Sequence, residues 1–290
     1  MIKDFEYFAP KTLKEALTLI NKYQDECKVI GGGQSLLILM RQGLVAPRYL
    51  ISIKGLDELS YIKDTKEGLK IGALTTHRAI EKSPVIKKKF GVLAEMEQRL
   101  ASIQTRNWGT IGGNICHADP AGDPMPVLIA LKATLTTTSL KGERNMPVED
   151  FTLDYFETAL EPGELLTEIQ VPAPPPRSGA AYTKFNIIES DLATVGVAVS
   201  VTLGAGDGVC QDIRIALGAS APTPMRAKKA EAVLKGKKIT DALLKEAGEA
   251  ASTEAEPISD IQASEEYRRE LAKILVARVA KEALARAKSA

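Results

Sequence analysis

The 290-residue chain has only three cysteines, and they lie far apart in sequence. Cys27, Cys116 and Cys210 show no C-x-x-C spacing, so the pattern excludes a disulfide framework and a zinc site of the common kind. They are also too few to hold an iron–sulfur cluster within this chain alone. We therefore expect Cys27 and Cys210 to be small, buried, structural side chains.

A charge surplus and a long apolar run are also missing. The 38 basic and 37 acidic residues leave a formal net charge of +1, which argues against nucleic acid as the main partner. No run of roughly 18 apolar residues is present, so no membrane span is expected. The first residues mix acids with apolar side chains and lack the pattern of a secretory signal, which favours a cytoplasmic protein.

The first half of the chain predicts alternating helices and strands. Thr12 and Glu15 have the spacing of a helix capping box, and the next helix is expected to begin at Thr76. A short buried helix is expected at 126–131. Strands are predicted at 27–30, 49–53, 69–73, 133–138 and 164–171.

Residues 172–179 are rich in proline and mark a domain boundary or, alternatively, a rigid surface loop within one domain. Beyond them, a β-branched strand at 193–203 is expected to pair antiparallel with 212–219 across the turn 204–208. A long amphipathic helix is predicted at 264–287. Its apolar face would carry Leu271, Ile274, Leu275, Val279 and Ala283.

The stretch VIGGGQS contains the first of two glycine-rich turns. A strand that runs into Gly31, Gly32 and Gly33 can present several backbone N–H groups to an anion, with Gln34 and Ser35 as further donors. The letters do not match a P-loop, because no Lys-Ser or Lys-Thr follows. They do not match a Rossmann fingerprint either, because Leu36 occupies the place of its third glycine.

The second turn lies in the stretch TIGGNICHADPAGDP. Thr110 offers a hydroxyl, Gly112 and Gly113 an open backbone, and Asn114 an amide. Asp123 is a candidate acceptor for sugar hydroxyls, whereas Asp119 is better explained as a cap of the following turn. Two such turns with a carboxylate suit a dinucleotide such as FAD.

No catalytic side chains are expected in either turn. His117 is a lone histidine without a metal-binding or triad pattern, and nothing in the sequence indicates a lowered pKa for the neighbouring Cys116 thiol. We therefore assign no catalytic role to these two residues.

The stretches VIGGGQSLL and RNWGTIGGNICHADPAGDPMPVLIAL closely resemble the FAD-binding subunits of molybdenum hydroxylases. These are the medium subunits of carbon monoxide dehydrogenase-like and xanthine dehydrogenase-like enzymes. Further matching stretches are ELLTEIQVP, YTKFNIIESDLATVGVAVSV and IRIALGASAPTPMRAKKAEAVLKGK, so the resemblance covers nearly the whole chain.

The resemblance implies an α+β fold in two parts. Residues 1–175 would form a two-lobed FAD-binding domain of the vanillyl-alcohol oxidase-like type. Residues 180–290 would form a smaller C-terminal domain, an antiparallel sheet backed by helices. FAD would lie extended between them.

The resemblance also implies a set of cofactor-binding residues. The two glycine turns would hold the pyrophosphate and the adjoining ribityl or ribose groups. Asp123 would bind a hydroxyl of the flavin chain, and Leu166 would contact the cofactor through its backbone or side chain. Lys184 would lie near the isoalloxazine ring, where a cation favours anionic reduced flavin; the alternative for Lys184 is a solvated lysine at a strand end. The implied residues are Ile30, Gly31, Gly32, Gly33, Gln34, Ser35, Leu36, Thr110, Gly112, Gly113, Asn114, Asp123, Leu166 and Lys184.

The sequence departs from the family pattern after Lys184. Many relatives have the pattern KxxxRRxxD, whereas this chain has Lys184-Phe-Asn-Ile-Ile-Glu-Ser-Asp and lacks both arginines. Contacts to the flavin edge or to a partner are therefore expected to differ. The triple glycine replaces an Ala-Gly-Gly of many relatives, a small change that should leave binding intact.

The function implied by the resemblance is electron transfer through FAD. Electrons would come from [2Fe-2S] clusters of a small partner subunit, and a large subunit with molybdopterin would oxidise the substrate. The acceptor would be NAD, oxygen, a quinone or another carrier, and the assembly would be a dimer of heterotrimers. Two alternatives are a self-contained flavin oxidase and a non-catalytic nucleotide-binding assembly subunit.

Overall fold

The computed structural model of the protein describes residues 2–206 and 208–290. Three main sheets organise these residues, and each sheet forms a unit with its own helices. Within the predicted turn 204–208, Asp207 lies outside the described residues. No helix in the described ranges is long and apolar enough to cross a membrane.

The N-terminal unit is a parallel sheet with strand order β1-β3-β2 and two helices. Thr12 caps the first helix as predicted, since its Oγ1 accepts a hydrogen bond from the Glu15 N–H at 3.2 Å. Because β2 and β3 run parallel, the chain leaves both strands at the same edge of the sheet. The elements are β1 (Glu6–Phe8), α1 (Leu13–Tyr23), β2 (Cys27–Ile30), α2 (Leu36–Gln42) and β3 (Tyr49–Ser52).

The middle unit is an antiparallel sheet with strand order β4-β5-β10-β6-β7, accompanied by short helices and a small β8–β9 pair. The strands predicted at 69–73, 133–138 and 164–171 are present, each shifted by one residue. Its strands are β4 (Ile62–Asp64), β5 (Gly68–Gly72), β6 (Thr134–Ser139), β7 (Gly142–Pro147), β8 (Thr152–Asp154), β9 (Glu157–Thr158) and β10 (Leu165–Pro172). Its helices are α3 (His77–Lys82), α4 (Pro84–Lys89), α5 (Gly91–Arg99), α6 (Ile103–Trp108), α7 (Ile111–His117) and α8 (Pro124–Ala130).

The C-terminal unit is an antiparallel sheet with strand order β11-β12-β13-β14, and β12 pairs with β13 as predicted. The sheet is covered on both faces. Val197 and Val199 of β12 pack in one hydrophobic cluster with α11, whereas Ala198 joins the cluster of α8 from the middle unit. The elements are β11 (Ser178–Phe185), β12 (Val195–Leu203), β13 (Cys210–Gly218), β14 (Met225–Arg226), α9 (Lys228–Leu234), α10 (Asp241–Glu254) and α11 (Glu265–Ser289).

The long C-terminal helix is present, but one residue of its predicted apolar face is misplaced. Ile274 is 42% exposed, so its prediction as a packing residue is wrong. The buried row repeats every four residues, and Ile274 lies beside that row rather than in it. The row consists of Leu271, Leu275, Val279 and Ala283.

Candidate functional site

The first glycine turn presents a row of free backbone amides. It joins β2 to α2, and the N–H groups of residues 31–35 have no hydrogen-bond partner anywhere in residues 2–206 and 208–290. Gly33 has a φ of +74°, a conformation in which a Cβ would strain the backbone. The Gln34 Nε2 donates to the Gly32 carbonyl at 3.1 Å and braces the turn. Consecutive free amides of this kind can bind an anion.

The second glycine turn is built differently from the sequence prediction. The Gly112 N–H donates to the Ala73 carbonyl at 2.9 Å, and the Gly113 N–H donates to Thr110 Oγ1 at 3.2 Å as the N-cap bond of α7. The predicted open backbone at these glycines is therefore wrong, because their amides are already bonded within the chain. Glycine is needed at 112 for another reason: a Cβ there would lie 2.6 Å from the Ala73 Cβ. Any cofactor contact of this turn must come from other atoms.

The two turns touch each other. A Cβ on Gly32 would lie 2.1 Å from the Trp108 carbonyl oxygen, and one on Gly31 would lie 3.3 Å from Thr110 Oγ1. Thr110 also forms an isolated antiparallel bridge with Thr76. Two segments distant in sequence thus build one site across the N-terminal and middle units.

A cleft of about 420 Å³ opens where the turns meet. Its volume lies in the range of small-molecule sites, roughly 300–1,000 Å³. One wall follows β3 in the N-terminal unit and the other comes from the middle unit. The lining residues are Gly31, Gly32, Lys54, Asp57, Ser60, Leu74, Thr76, Asn107, Trp108 and Thr110.

A second polar centre joins the middle unit to the C-terminal unit. Asp123, just before α8, accepts hydrogen bonds from the Tyr182 hydroxyl at 2.5 Å and from Lys184 Nζ at 2.8 Å. The side chains of Lys184 and Asp123 are only 2% and 3% exposed. This burial overturns the alternative of a solvated lysine at a strand end. Lys184 Nζ also donates to the Asp191 carbonyl at 2.8 Å.

Burial controls the ionisation of this centre. Burial raises the pKa of Asp123 above its ordinary value. The positive charge and hydrogen bond of Lys184 oppose this effect, because they favour the ionised carboxylate. Burial and the adjacent Asp123 raise the pKa of Tyr182 well above its ordinary value, so the phenol stays protonated and donates. The centre therefore holds one ion pair and one neutral donor away from water.

The remaining predicted site residues lie around these two centres. Asn114 is part of α7, and a Cβ on Gly122 would lie 3.1 Å from its Oδ1, so α7 connects the second turn to the segment before Asp123. Ile30 and Leu36 flank the first turn and are partly exposed. Leu166 is buried in the hydrophobic cluster of the middle unit. The cofactor contacts of these residues stay predictions.

Sequence reasoning missed the cleft wall formed by Lys54 and Trp108, and also Tyr182. A signal existed for two of them. Lys54 follows β3, and the carboxyl ends of parallel strands share an edge with the turn after β2. Tyr182 precedes Lys184 by two residues on one strand, so both side chains point to the same face.

A buried His77–Glu97 pair supports the second turn. Glu97 is fully buried, and its Oε2 lies 2.9 Å from His77 Nδ1. Burial raises the pKa of Glu97, while His77 favours its ionised form. The His77 backbone N–H donates to the Gly109 carbonyl at 3.1 Å, which anchors the residue before Thr110.

Cys116 and His117, to which we assigned no catalytic role, lie at the end of α7. Burial raises the pKa of the Cys116 thiol to about 12, so it is not a thiolate at neutral pH. Burial lowers the pKa of His117, whose ring packs on Phe156 with ring centres 5.3 Å apart. The described part of the chain holds no group of three or more His, Cys, Asp or Glu side chains that could bind a metal.

Free amides, a cleft of ligand size and a buried lysine are the features of a protein suited to bind an anionic cofactor. Comparison with protein-family models identifies that cofactor. Residues 3–174 match the FAD-binding domain of molybdopterin dehydrogenases, and residues 180–283 match the C-terminal domain of CO dehydrogenase flavoproteins.

Two relatives match nearly the whole length of the chain. The alpha subunit of the 6-hydroxypseudooxynicotine dehydrogenase complex of Paenarthrobacter nicotinovorans is 34% identical over 98% of this chain and 96% of its own. The glyceraldehyde dehydrogenase medium chain of Sulfolobus acidocaldarius is 35% identical over 96% of this chain and 98% of its own.

A solved structure has the same fold. A chain of carbon monoxide dehydrogenase from Hydrogenophaga pseudoflava, in a form that lacks the Mo-pyranopterin moiety, superposes with a TM-score of 0.96. It is 36% identical, and the match covers 99% of both chains. The chain belongs to the family of FAD-binding medium subunits of molybdenum hydroxylases. It is therefore an oxidoreductase subunit with an FAD-binding domain.

Proposed function

We propose that the protein is the electron-transfer subunit of a heteromeric molybdenum hydroxylase. Electrons arrive from [2Fe-2S] clusters of a small partner subunit and leave through FAD to an external acceptor. FAD supplies the redox chemistry, since it exchanges electrons singly or in pairs. A large subunit with molybdopterin oxidises the substrate, and the complex is a cytoplasmic dimer of heterotrimers.

The observation that carries this proposal is the row of unpartnered amides at residues 31–35, which begins at Gly31 and Gly32 in the wall of the cleft beside Thr110. Those amides fit a pyrophosphate, which accepts hydrogen bonds and carries negative charge. The family match supplies the identity of the cofactor. Residues 1–175 are proposed as the two-lobed FAD-binding domain of vanillyl-alcohol oxidase-like type, and 180–290 as the C-terminal domain.

The protein's own residues bind and orient the cofactor. Asp123 is proposed to bind a hydroxyl of the flavin chain, and Leu166 to contact the cofactor. Lys184 is proposed to place its positive charge near the ring, where it favours electron-rich flavin. The hydrogen bonds from Tyr182 and Lys184 to Asp123 support this assignment, because they fix both charges at a buried junction between units.

Substrate specificity is proposed to lie in a partner subunit. Relatives at 34% and 35% identity are named for 6-hydroxypseudooxynicotine and glyceraldehyde, and a structural neighbour at 36% for carbon monoxide. These flavin subunits are all similar to this chain, although their enzymes are named for very different substrates. This favours a substrate site outside this chain.

The test is purification of the protein from its host, with the visible spectrum recorded before and after acid release of the chromophore. We expect FAD close to one per chain, iron–sulfur absorbance and two co-purifying chains, one larger and one smaller. An active chain with flavin and no partners would indicate a self-contained oxidase. A colourless chain that takes up no added FAD would refute both and favour an assembly subunit.

A further inference from the structure

The cleft has an aromatic wall that the binding residues proposed so far leave unused. Trp108, the single tryptophan of the chain, ends α6 and is 54% exposed. Lys54 Nζ lies 3.6 Å from the centre of its ring system. Lys54 follows β3 in the N-terminal unit, whereas Trp108 belongs to the middle unit, so this cation–π contact spans the cleft.

The same wall adjoins the free amides of the first turn. The Trp108 carbonyl is in contact with Gly32, so the indole is anchored directly beside the turn. Within residues 2–206 and 208–290, Lys54 forms no ion pair, and the side chains of Asp57, Ser60 and Asn107 form no hydrogen bond. The cleft therefore combines an aromatic plane, an unpaired positive charge and free polar groups.

The polar centre at Asp123 and Lys184 is separate from this cleft, since neither residue lines it. A dinucleotide has two ends joined by a pyrophosphate. If the flavin end lies at Lys184, the cleft beyond the first turn is left for the other end, which carries the adenine base. Aromatic side chains stack on any nucleobase, and a neighbouring lysine suits the diphosphate.

We propose that Trp108 and Lys54 form the site for the adenosine diphosphate half of FAD. Adenine stacks on the indole, and the diphosphate lies between Lys54 Nζ and the amides of residues 31–35. Asp57 accepts hydrogen bonds from the ribose hydroxyls. This assignment rests on the proposed function, and it adds the residues that distinguish FAD from FMN.

The test uses the full chain stripped of flavin and titrated with ADP. ADP has no flavin ring, so it cannot quench the Trp108 fluorescence by energy transfer to a flavin. We expect saturable quenching of the Trp108 fluorescence by ADP, whereas inorganic pyrophosphate should bind without strong quenching. By calorimetry, Trp108→Ala should weaken ADP binding about tenfold or more, because it removes the aromatic plane on which the base stacks. Trp108→Phe should keep most of the affinity.

Lys54→Gln should weaken ADP binding about threefold to tenfold and flatten its dependence on salt. Lys28→Gln is the matched control, because Lys28 is an exposed lysine of the N-terminal unit, in β2, that does not line the cleft. It should leave ADP affinity unchanged. Equal effects of the two lysine variants would count against a specific role for Lys54.

Three results would overturn the assignment, and they differ from one another. If the wild-type chain binds FAD but ADP causes no saturable quenching, the adenosine half lies elsewhere and the proposed function stands. If ADP quenches Trp108 in the FAD-loaded chain without releasing FAD, the site serves an external nucleotide. If the wild-type chain takes up no FAD, the proposed function itself fails.

Discussion

Lys184 and Asp123 form a buried ion pair, 2.8 Å between Nζ and Oδ2, that connects the C-terminal unit to the middle unit. Tyr182, two residues before Lys184 on β11, binds the other carboxylate oxygen. A buried carboxylate with two donors from one strand fixes how the strand lies against α8. The orientation of the two units and the charge at the proposed flavin end therefore depend on the same three side chains.

Replacing Lys184 with Met should be strongly destabilising, because it leaves the Asp123 carboxylate buried without its counter-ion. Losing one partner of a buried pair costs about 3–5 kcal/mol of unfolding free energy. The double variant Asp123→Asn/Lys184→Met should recover part of this loss. Urea unfolding at pH 7 measures all three proteins.

The control for this pair is Lys281→Met, which breaks an exposed ion pair with Asp241 at 2.8 Å. Exposed pairs contribute about 1 kcal/mol or less, so this variant should unfold much like the wild type. Similar losses for the buried and the exposed pair would show that burial of Lys184 does not govern its contribution.

Gly32→Ala should disrupt the contact between the two glycine turns. The new Cβ would meet the Trp108 carbonyl oxygen at 2.1 Å, so one backbone segment must move. Overpacking of this kind costs about 1–3 kcal/mol, and the protein should also lose most of its FAD. The ratio of flavin to protein absorbance and the melting temperature report the two effects.

Gly55→Ala serves as the comparison, because nothing lies within 4 Å of the position that a Cβ would take there. It should keep its flavin and stay within about 0.5 kcal/mol of the wild type. Retention of FAD by Gly32→Ala at the wild-type level would contradict the role given to the first turn.

Glu81→Gln should change the pH dependence of stability. Burial opposes ionisation of Glu81, but hydrogen bonds from Arg78 and Arg106 overcome it and hold its pKa below the ordinary value. A lowered carboxyl pKa stabilises the fold above the unfolded-state pKa, about 4.3, and this contribution is lost as pH falls through the folded-state pKa. The variant should be about 1–3 kcal/mol less stable at pH 7.

The difference between Glu81→Gln and the wild type should shrink as the pH is lowered below about 4. Chemical unfolding at several pH values measures it. A difference in unfolding free energy that stays constant with pH would mean that the charge of Glu81 does not stabilise the fold. Arg106 would then be held by other contacts, since its Nη1 also donates to the Leu100 and Ala101 carbonyls.

All three cysteines should resist alkylation in the folded protein. Burial raises the thiol pKa to about 12 at Cys116 and about 11 at Cys210, and it also raises the pKa of Cys27. Iodoacetamide at pH 8, followed by intact-mass measurement, should find little modification before unfolding and three modified thiols after it. Rapid labelling of native Cys116 would contradict the raised pKa of its thiol.

Local patterns predicted most of the elements, because each carries its own signal. The cap at Thr12 and the apolar strands at 69–73 and 164–171 depend on neighbouring residues only, and their positions agree with the structure within a residue. The exposure of Ile274 depends on which helix row faces the sheet, and the sequence of one helix does not contain that information.

The site was predicted in part, and the errors have a common cause. The sequence assigned two glycine turns to one dinucleotide, and the structure brings these two turns into contact. The Gly113 N–H donates to the hydroxyl of Thr110, which caps α7, and the Gly112 N–H donates to the carbonyl of Ala73, just after β5. The sequence TIGGN alone therefore suggested free amides that are in fact bonded within the chain. Two further features exist only after the units have packed together. They are the cleft wall formed by Lys54 and Trp108 and the hydrogen bond from Tyr182 to Asp123.

Helix α8 makes the two matched segments inseparable. It belongs to the first segment, yet Ser200 of β12 donates to its Ala130 carbonyl at 2.7 Å, and a Cβ on Gly218 of β13 would meet its Pro126 at 2.9 Å. A gene rearrangement that separated the segments at the proline-rich connector would expose this helix and one face of the C-terminal sheet to water at once.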